Sequence, residues 1–270
     1  MATGTPTLLG APYDLASSHL RGPALAPAAI RTALANPSSN SWTEDLLDIT
    51  APGVLADAGD LTFADPSDGA AVRATIEAGV GNLFDRGARP LVLGGDHSIS
   101  YPAVRAAAAR FPGLTVLHFD AHSDLYHEFE GDPYSHACPF ARVMEEGQVA
   151  RLIQIGIRTI SAHQRDQIKR FGVEVHEMRR WQGPFDLAID GPVYLSLDLD
   201  VLDPAFMAGI SHPEPGGLSV RDVVSMLQRL TAPLIGADLV ELNPREDPSP
   251  RSGLVAAKLV KELVAAFHRR

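Results

Sequence analysis

Apolar runs of strand length alternate with segments of helical spacing along nearly the whole chain. The runs are short and almost continuously apolar, as expected of strands buried on both faces of a parallel sheet; they are 6–10, 90–93, 114–119, 151–157, 193–197 and 233–241. Apolar residues three and four positions apart predict helices at 28–34, 69–85, 101–110, 164–171, 219–230 and 254–268. The alternation predicts a three-layer α/β/α fold with a central, mainly parallel sheet, built by residues 1–270 as one domain.

Cap and turn residues mark some of the boundaries. Ser219 is followed three positions later by Asp222, an arrangement typical of a helix N-terminus. Gly87 follows the end of the long second helix. The segment from Asp124 to Pro139 has no regular periodicity, so we expect a loop there.

Composition and charge exclude several classes of protein. The net charge of -10 over 270 residues argues against nucleic acid as a partner, because phosphate binding needs a basic face. No apolar stretch approaches the roughly 20 residues of a membrane helix, and the first nine residues lack the pattern of a secretory signal. The single cysteine, Cys138, excludes an internal disulfide and is expected to be a buried side chain rather than a nucleophile. We therefore expect a cytoplasmic protein with no membrane partner.

Three of the strand-like runs end in potential metal ligands. The first precedes Gly94-Gly95-Asp96-His97-Ser98, the second Asp120-Ala121-His122-Ser123-Asp124, and the third Asp198-Leu199-Asp200-Val201-Leu202-Asp203-Pro204. Because parallel strands end at one edge of their sheet, these residues should share one crevice. So many carboxylates at close range repel one another and raise each other's pKa. A pair of divalent cations would neutralise them.

The spacing and type of these residues indicate the kind of metal centre. Asp120, His122 and Asp124 alternate, which places them on one face of an extended chain, and Asp198 and Asp200 repeat that spacing. Mixed imidazole and carboxylate ligands suit Mn, Fe, Co, Ni or Zn better than Ca or Mg, and the many aspartates favour Mn. Two cations about 3.5–4 Å apart can share a water and lower its pKa toward neutrality. This pattern predicts a hydrolase. A single Asp-x-His-x-Asp or Gly-Gly-Asp-His motif is often only a polar loop. Three such motifs in order, each after an apolar run, are far more specific for metal binding.

These motifs resemble the ureohydrolase family of arginases, agmatinases and related amidinohydrolases. The resemblance extends to Gly10-Ala11-Pro12-Tyr13-Asp14 and Arg21-Gly22-Pro23 near the start, and to Asp238-Leu239-Val240-Glu241-Leu242-Asn243-Pro244 near the end. It therefore covers nearly the whole chain. It implies the same three-layer fold, two Mn2+ ions (with Ni2+, Co2+ or Fe2+ as alternatives), a small guanidino substrate, and a homo-oligomer, a trimer or hexamer.

The resemblance also implies a role for each site residue. One metal would be held by His97, Asp120, Asp124 and Asp198, and the other by His122, Asp120, Asp198 and Asp200. Asp124 would in addition accept a hydrogen bond from the nucleophile. Glu241 would pair with the substrate guanidinium, although it could instead pair with Arg245. His136 would contact substrate and shuttle protons, although it could be an ordinary loop histidine.

Neighbouring residues are given other roles. Asp203, which precedes Pro204, is expected to fix a turn rather than touch metal. His118 lies just before the second ligand motif and is expected to face the other side of the sheet.

Two departures from the family pattern bear on the substrate. Residues 209–218 keep Pro-Glu-Pro-Gly-Gly, but His212 replaces a threonine of many agmatinase-like proteins, so His212 is either a substrate-binding or a structural residue. The loop after Asp124 lacks the hydroxyl- and amide-rich segment of arginases and carries Glu128, Glu130 and Asp132 instead. These acids favour a substrate whose second end is cationic rather than a carboxylate, and hence agmatine, unless they form only a solvated loop face.

The leading prediction is a manganese-dependent hydrolase that releases urea and an amine from a small guanidino compound, agmatine to putrescine first. Other activities remain open at this point. Arginase, guanidinobutyrase, formiminoglutamase and nickel-dependent guanidine hydrolase activities belong to the same chemical class. A deacetylase with a single zinc would share the fold but would not need Asp124, Asp200 and the Gly-Asp-His ligand together. A noncatalytic assembly subunit should have lost ligands, and this chain retains all of them.

Overall fold

A computed structural model describes residues 4–269, and within them the strands form one eight-stranded sheet. The strands are β1 (Pro6–Gly10), β2 (Ala56–Asp60), β3 (Arg89–Leu93), β4 (Thr115–Phe119), β5 (Arg151–Ile157), β6 (Glu174–Glu177), β7 (Val193–Asp198) and β8 (Leu234–Val240). Their order is β2-β1-β3-β8-β7-β4-β5-β6, and every pairing is parallel. The predicted α/β class with a parallel sheet is confirmed.

Helices cover both faces of the sheet and complete the three layers. They are α1 (Ala26–Leu34), α2 (Gly69–Asp85), α3 (Ser100–Ala108), α4 (Pro139–Glu145), α5 (Ala162–Phe171), α6 (Val220–Arg229) and α7 (Arg251–His268). One apolar core joins the sheet to α1, α6 and α7, and a second joins it to α2, α3, α4 and α5. The sheet needs both layers because its central strands are buried on both sides.

The predicted elements all form, and three further elements were not predicted. Strands β2 and β6 are the two edges of the sheet; β2 is exposed and acidic, and β6 is short and polar, so neither has the apolar run of a central strand. Helix α4 has only seven residues, too few for a clear helical period. Ser219 and Asp222 form the expected capping box of α6, and Ser161 forms an additional one with Gln164 on α5. The expected loop before Pro139 contains no helix or strand.

Four adjacent strands at the centre of the sheet position the site. In the order β3, β8, β7 and β4, each strand is followed at its carboxyl end by residues singled out from the sequence: His97, Glu241, Asp198 with Asp200, and Asp120 with His122 and Asp124. These residues are far apart in the chain, and only the strand order makes them neighbours. Their meeting point is the crevice in which α/β proteins place their active sites.

Candidate metal centre

Three carboxylates surround the buried imidazole of His97. Its Nδ1 lies 3.1 Å from Asp120 Oδ2, 3.0 Å from Asp124 Oδ2 and 3.1 Å from Asp198 Oδ2. Burial by itself lowers the pKa of His97, but these three contacts raise it well above the usual range. The four residues are those that the resemblance assigns to one metal ion.

A second group forms around His122, on the other side of Asp120. His122 Nδ1 lies 2.9 Å from Asp200 Oδ2 and 3.4 Å from Asp120 Oδ1. Asp120 therefore faces His97 with Oδ2 and His122 with Oδ1, as a bridging ligand would. Asp198 joins the first group through Oδ2, while its Oδ1 accepts the backbone N–H of Asp200 at 2.7 Å.

The donor atoms fit divalent cations. Ser196 Oγ lies 2.6 Å from Asp238 Oδ1, to which it donates, and 2.9 Å from His97 Nε2, from which it accepts. In a neutral ring Nε2 then carries the hydrogen, and Nδ1 presents a lone pair to the three carboxylate oxygens. Without metal, a proton on Nδ1 balances these oxygens, which is why the pKa of His97 is raised; a divalent cation among the same atoms would take the place of that proton. Two divalent cations would also balance the four buried aspartates, whose burial and mutual repulsion raise the pKa of Asp198 well above its usual range and that of Asp200 to about 6.

A carboxylate and an imidazole lie together beside the aspartate cluster. Glu241 Oε1 accepts the backbone N–H of His97 at 2.9 Å and lies 3.0 Å from His136 Nδ1, while the buried Glu241 Oε2 has no hydrogen-bond partner among residues 4–269. His136 Nε2 lies 2.9 Å from Ser18 Oγ. Burial lowers the pKa of His136, but Glu241 outweighs it and raises the value to about 9. Arg245 contacts Arg21 and Asn243 rather than Glu241, which leaves the glutamate available to a ligand.

Two of the site carboxylates stand on unusual backbone. Asp124 has φ 49° and Glu241 has φ 64°, both in the left-handed region that residues with a Cβ rarely adopt. Such strain persists only where surrounding contacts impose it, and it concentrates at functional sites. For Glu241, one such contact is the backbone hydrogen bond that it donates to Gly95 O at 3.0 Å.

The motif Gly94–Ser98 also ties the start of the chain to the site. A Cβ on Gly95 would lie 1.6 Å from Tyr13 O, so only glycine fits there. Asp96, which had no role from the sequence, accepts hydrogen bonds from Ala16 N at 3.0 Å and Ser17 Oγ at 3.2 Å. This contact fixes the segment that carries Ser18 to His136. No sequence signal identified Ser18, because it lies in an irregular segment far from the ligand motifs.

The expectation for His118 is wrong. His118 has the same parity in β4 as Asp120, and its Nε2 lies 2.8 Å from Asp120 Oδ2. It therefore faces the aspartate cluster, because residues two apart in an extended chain point to the same side. Asp203 and Cys138 behave as expected. The Asp203 carboxylate accepts backbone N–H groups at Ala205, Gly216 and Gly217, and burial raises the pKa of the Cys138 thiol to about 12.

A cavity of about 380 Å³ opens over these groups. Hydroxyl and amide side chains line part of its wall, namely Ser18, Thr159, Ser161 and Gln164, and Tyr126, Phe129 and His212 line it as well. The ring of His212 lies 4.8 Å from that of His136, and burial with the neighbouring His136 lowers the pKa of His212 to about 4. The acids Glu128, Glu130 and Asp132 are exposed and are absent from the lining, which removes the sequence argument for a cationic tail.

The parallel sheet and the histidine–aspartate cluster at its carboxyl edge define a metal-dependent hydrolase with a three-layer α/β/α fold. A sequence model described as the Arginase family matches residues 5–266. The chain belongs to the arginase family, and it is a ureohydrolase of that family.

Individual relatives span the whole chain. It is 46% identical to a protein named "Arginase 1, mitochondrial" from Arabidopsis thaliana over 99% of this chain and 82% of the relative. It is 35% identical to an agmatinase from Neisseria meningitidis serogroup C (strain 053442) over 95% of this chain and 85% of the relative. Among solved structures, the arginase from Medicago truncatula aligns with a TM-score of 0.91 and 42% identity, covering 98% of this chain and 87% of that one.

Proposed function

We propose that this ureohydrolase binds two Mn2+ ions and hydrolyses the guanidino group of L-arginine to urea and ornithine. The observation that carries the proposal is the convergence of two histidines and four aspartates beside Glu241, whose Oε2 has no partner in the described part of the chain. His97, Asp120, Asp124 and Asp198 would hold one ion, and His122, Asp120, Asp198 and Asp200 the other. The ions would lower the pKa of a water so that it can attack a poorly electrophilic guanidinium.

The other groups have roles that follow from their positions. Glu241 orients the guanidinium through charge-assisted hydrogen bonds, using the oxygen that the protein leaves free. Asp124 accepts a hydrogen bond from the nucleophile and so directs it toward the guanidinium carbon. His136, held by Glu241 and Ser18, stands beside the reacting group and delivers a proton to the departing amine. His212, kept neutral by its lowered pKa, contacts the substrate without repelling the cation.

The preference for arginine over agmatine as substrate rests on the side chains that line the cavity and on the relatives. The backbones of Thr159 and His122 pair in an isolated β-bridge, and Ser161, two residues further on, caps the N-terminus of α5. Neutral hydroxyl donors and a helix N-terminus therefore lie next to the proposed metal ligands. These groups suit an α-carboxylate. The greater identity to plant arginases than to agmatinases supports the same substrate. One observation favours agmatine as second candidate: no Lys or Arg lines the cavity within the described residues.

The test is product release from protein loaded with Mn and, separately, with Ni. The panel contains arginine, agmatine, guanidinobutyrate, guanidinoacetate, guanidine and formiminoglutamate. Fastest urea release from arginine supports the proposal, and fastest release from agmatine selects the second candidate. If no compound yields urea or formamide while two metals are bound, the proposed function is wrong.

One variant distinguishes arginine from agmatine as the substrate. Thr159→Val keeps the side-chain shape but removes the hydroxyl. If that hydroxyl contacts the α-carboxylate, kcat/KM for arginine should fall about 10- to 100-fold, the cost of one hydrogen bond to a charged group, with little change for agmatine. An equal loss on both substrates would show that Thr159 does not read the tail.

Location and assembly also remain proposals. Within residues 4–269, no helix combines the length and apolar content that crossing a membrane requires. A cytoplasmic location is retained from the sequence, whereas several plant relatives carry mitochondrial or chloroplastic in their names. A homo-oligomer, trimer or hexamer, is proposed, and light scattering coupled to size exclusion would test it.

A further inference from the structure

A third histidine, His118, lies on the carboxylate that would bridge the two metal ions. Its Nε2 is 2.8 Å from Asp120 Oδ2, the same oxygen that lies 3.1 Å from His97 Nδ1. His118 is fully buried on β4, and the ring of Phe140 packs against it with a centroid distance of 4.0 Å. The side chain is therefore held in place and has little room to turn.

The hydrogen bonds around Gln154 decide which nitrogen of His118 carries the proton. Gln154 lies directly opposite His118 on the neighbouring strand β5. Its Nε2 lies 2.6 Å from Ser123 O, which can only accept, so the amide nitrogen is the donor there. The same nitrogen lies 3.0 Å from His118 Nδ1, which must accept its second hydrogen. The proton of a neutral His118 is then on Nε2, which donates to Asp120.

We infer that His118 is a positioning residue that holds the shared carboxylate of Asp120, and that Gln154 fixes the tautomer in which it does so. The inference rests on the proposed function in taking Asp120 as the bridge between two cations. Because Nε2 carries hydrogen, it has no lone pair for a metal, so His118 is not a third histidine ligand. Its hydrogen bond holds the Asp120 carboxylate in one orientation, and that carboxylate would be a ligand of the cations.

The experiment compares His118→Phe with His118→Gln, because the two differ in the donor. Phe keeps a planar, buried ring but cannot donate, whereas the Gln amide nitrogen can reach the position of His Nε2. Mn2+ binding to the metal-free protein is titrated and counted by elemental analysis. We expect Phe to weaken binding about 10–100-fold, as losses of such supporting partners do, and Gln to restore most of the affinity.

A spectroscopic readout separates positioning from simple destabilisation. Two Mn2+ ions bridged by a carboxylate are magnetically coupled, so the electron paramagnetic resonance spectrum of protein saturated with Mn2+ reports on the bridge. His118→Phe and Gln154→Leu should both change the coupling. Leu117→Ala is the matched control, since Leu117 is in the same strand but packs in the core on the opposite face of the sheet. It should lower the melting temperature and leave the spectrum unchanged.

Each outcome decides the question. Unchanged affinity and spectrum in His118→Phe, with wild-type protein binding two ions, would overturn the positioning role alone. Loss of a metal in both His118→Phe and His118→Gln would make His118 a direct ligand and overturn the tautomer argument. Wild-type protein that binds no pair of ions would overturn the inference and the proposed function together. Weakened binding in Phe, recovery in Gln and an altered spectrum in Gln154→Leu would support the inference.

Discussion

Replacing Glu241 with glutamine tests how the site recognises its substrate. The side-chain oxygen of glutamine can keep the hydrogen bonds that Glu241 Oε1 now accepts from His97 N at 2.9 Å and shares with His136 Nδ1 at 3.0 Å. The change therefore removes a charge while preserving shape. Glu241 contacts no aspartate of the cluster directly, so Glu241→Gln should bind metal as tightly as the wild type.

The size of the effect follows from the burial of the pair. Glu241 is only 4% exposed, so its negative charge would meet the guanidinium in a largely dry environment. Breaking one side of a buried, hydrogen-bonded charge pair costs about 2–5 kcal/mol. The amide NH2 of glutamine would take the place of the free Oε2 and cannot accept a hydrogen bond from the guanidinium, so we expect a loss within that range, about 3 kcal/mol. At about 1.4 kcal/mol per tenfold, kcat/KM should fall about 150-fold.

The assay is urea release at low substrate concentration, with metal content measured on the same sample. Glu246→Gln is the control, because it removes an equal charge from an exposed position in the loop after β8. A kcat/KM within threefold of wild type at full metal content would refute pairing between Glu241 and the guanidinium. Loss of metal along with activity would refute the separation of substrate and metal roles.

Two further substitutions and one titration test other parts of the site. Asp120→Ala should abolish metal binding and activity together, because Asp120 faces both histidines of the cluster; activity retained at full metal content would contradict its assignment. In metal-free protein, His136 should titrate at about 9 by nuclear magnetic resonance, since Glu241 favours the imidazolium and so raises the pKa despite burial. Glu241→Gln should move this titration down toward the ordinary histidine range, and an unmoved titration would mean that another group sets it. Gly95→Ala should destabilise folding by on the order of 3 kcal/mol, because its Cβ would overlap Tyr13 O, and an unchanged melting temperature would contradict this contact.

The central strands and most helices were predictable because burial imposes a pattern on them. A strand covered on both faces, such as β4 or β8, must be apolar at nearly every position, and this requirement is written locally in the chain. The edge strands β2 and β6 are under no such requirement. They form because a neighbouring strand offers hydrogen-bonding groups, which no local pattern of their own reveals.

The prediction that His118 faces the other side of the sheet was wrong for a different reason. Its position two residues before Asp120 was enough to place both side chains on one face of β4, so the contact was available from the spacing. Its partner was not, because Gln154 lies opposite only through the pairing of β4 with β5. The acids at 128, 130 and 132 show the converse. Their charge was visible in the sequence, but only the path of the loop put them in solvent rather than in the cavity.

The sequence by itself determined the fold class and the family and singled out the candidate ligands at the carboxyl edge, because each depends on short segments whose residue types and spacing carry the signal. The tertiary structure decided which of those segments meet. The order β3-β8-β7-β4 brings His97, Glu241, Asp198 and Asp120 together across about half of the chain. It also decided that Ser18 supports His136 and that Thr159 and Ser161 line the cavity. Strand order depends on burying all the apolar surfaces of the chain together, and no short segment of sequence contains that information.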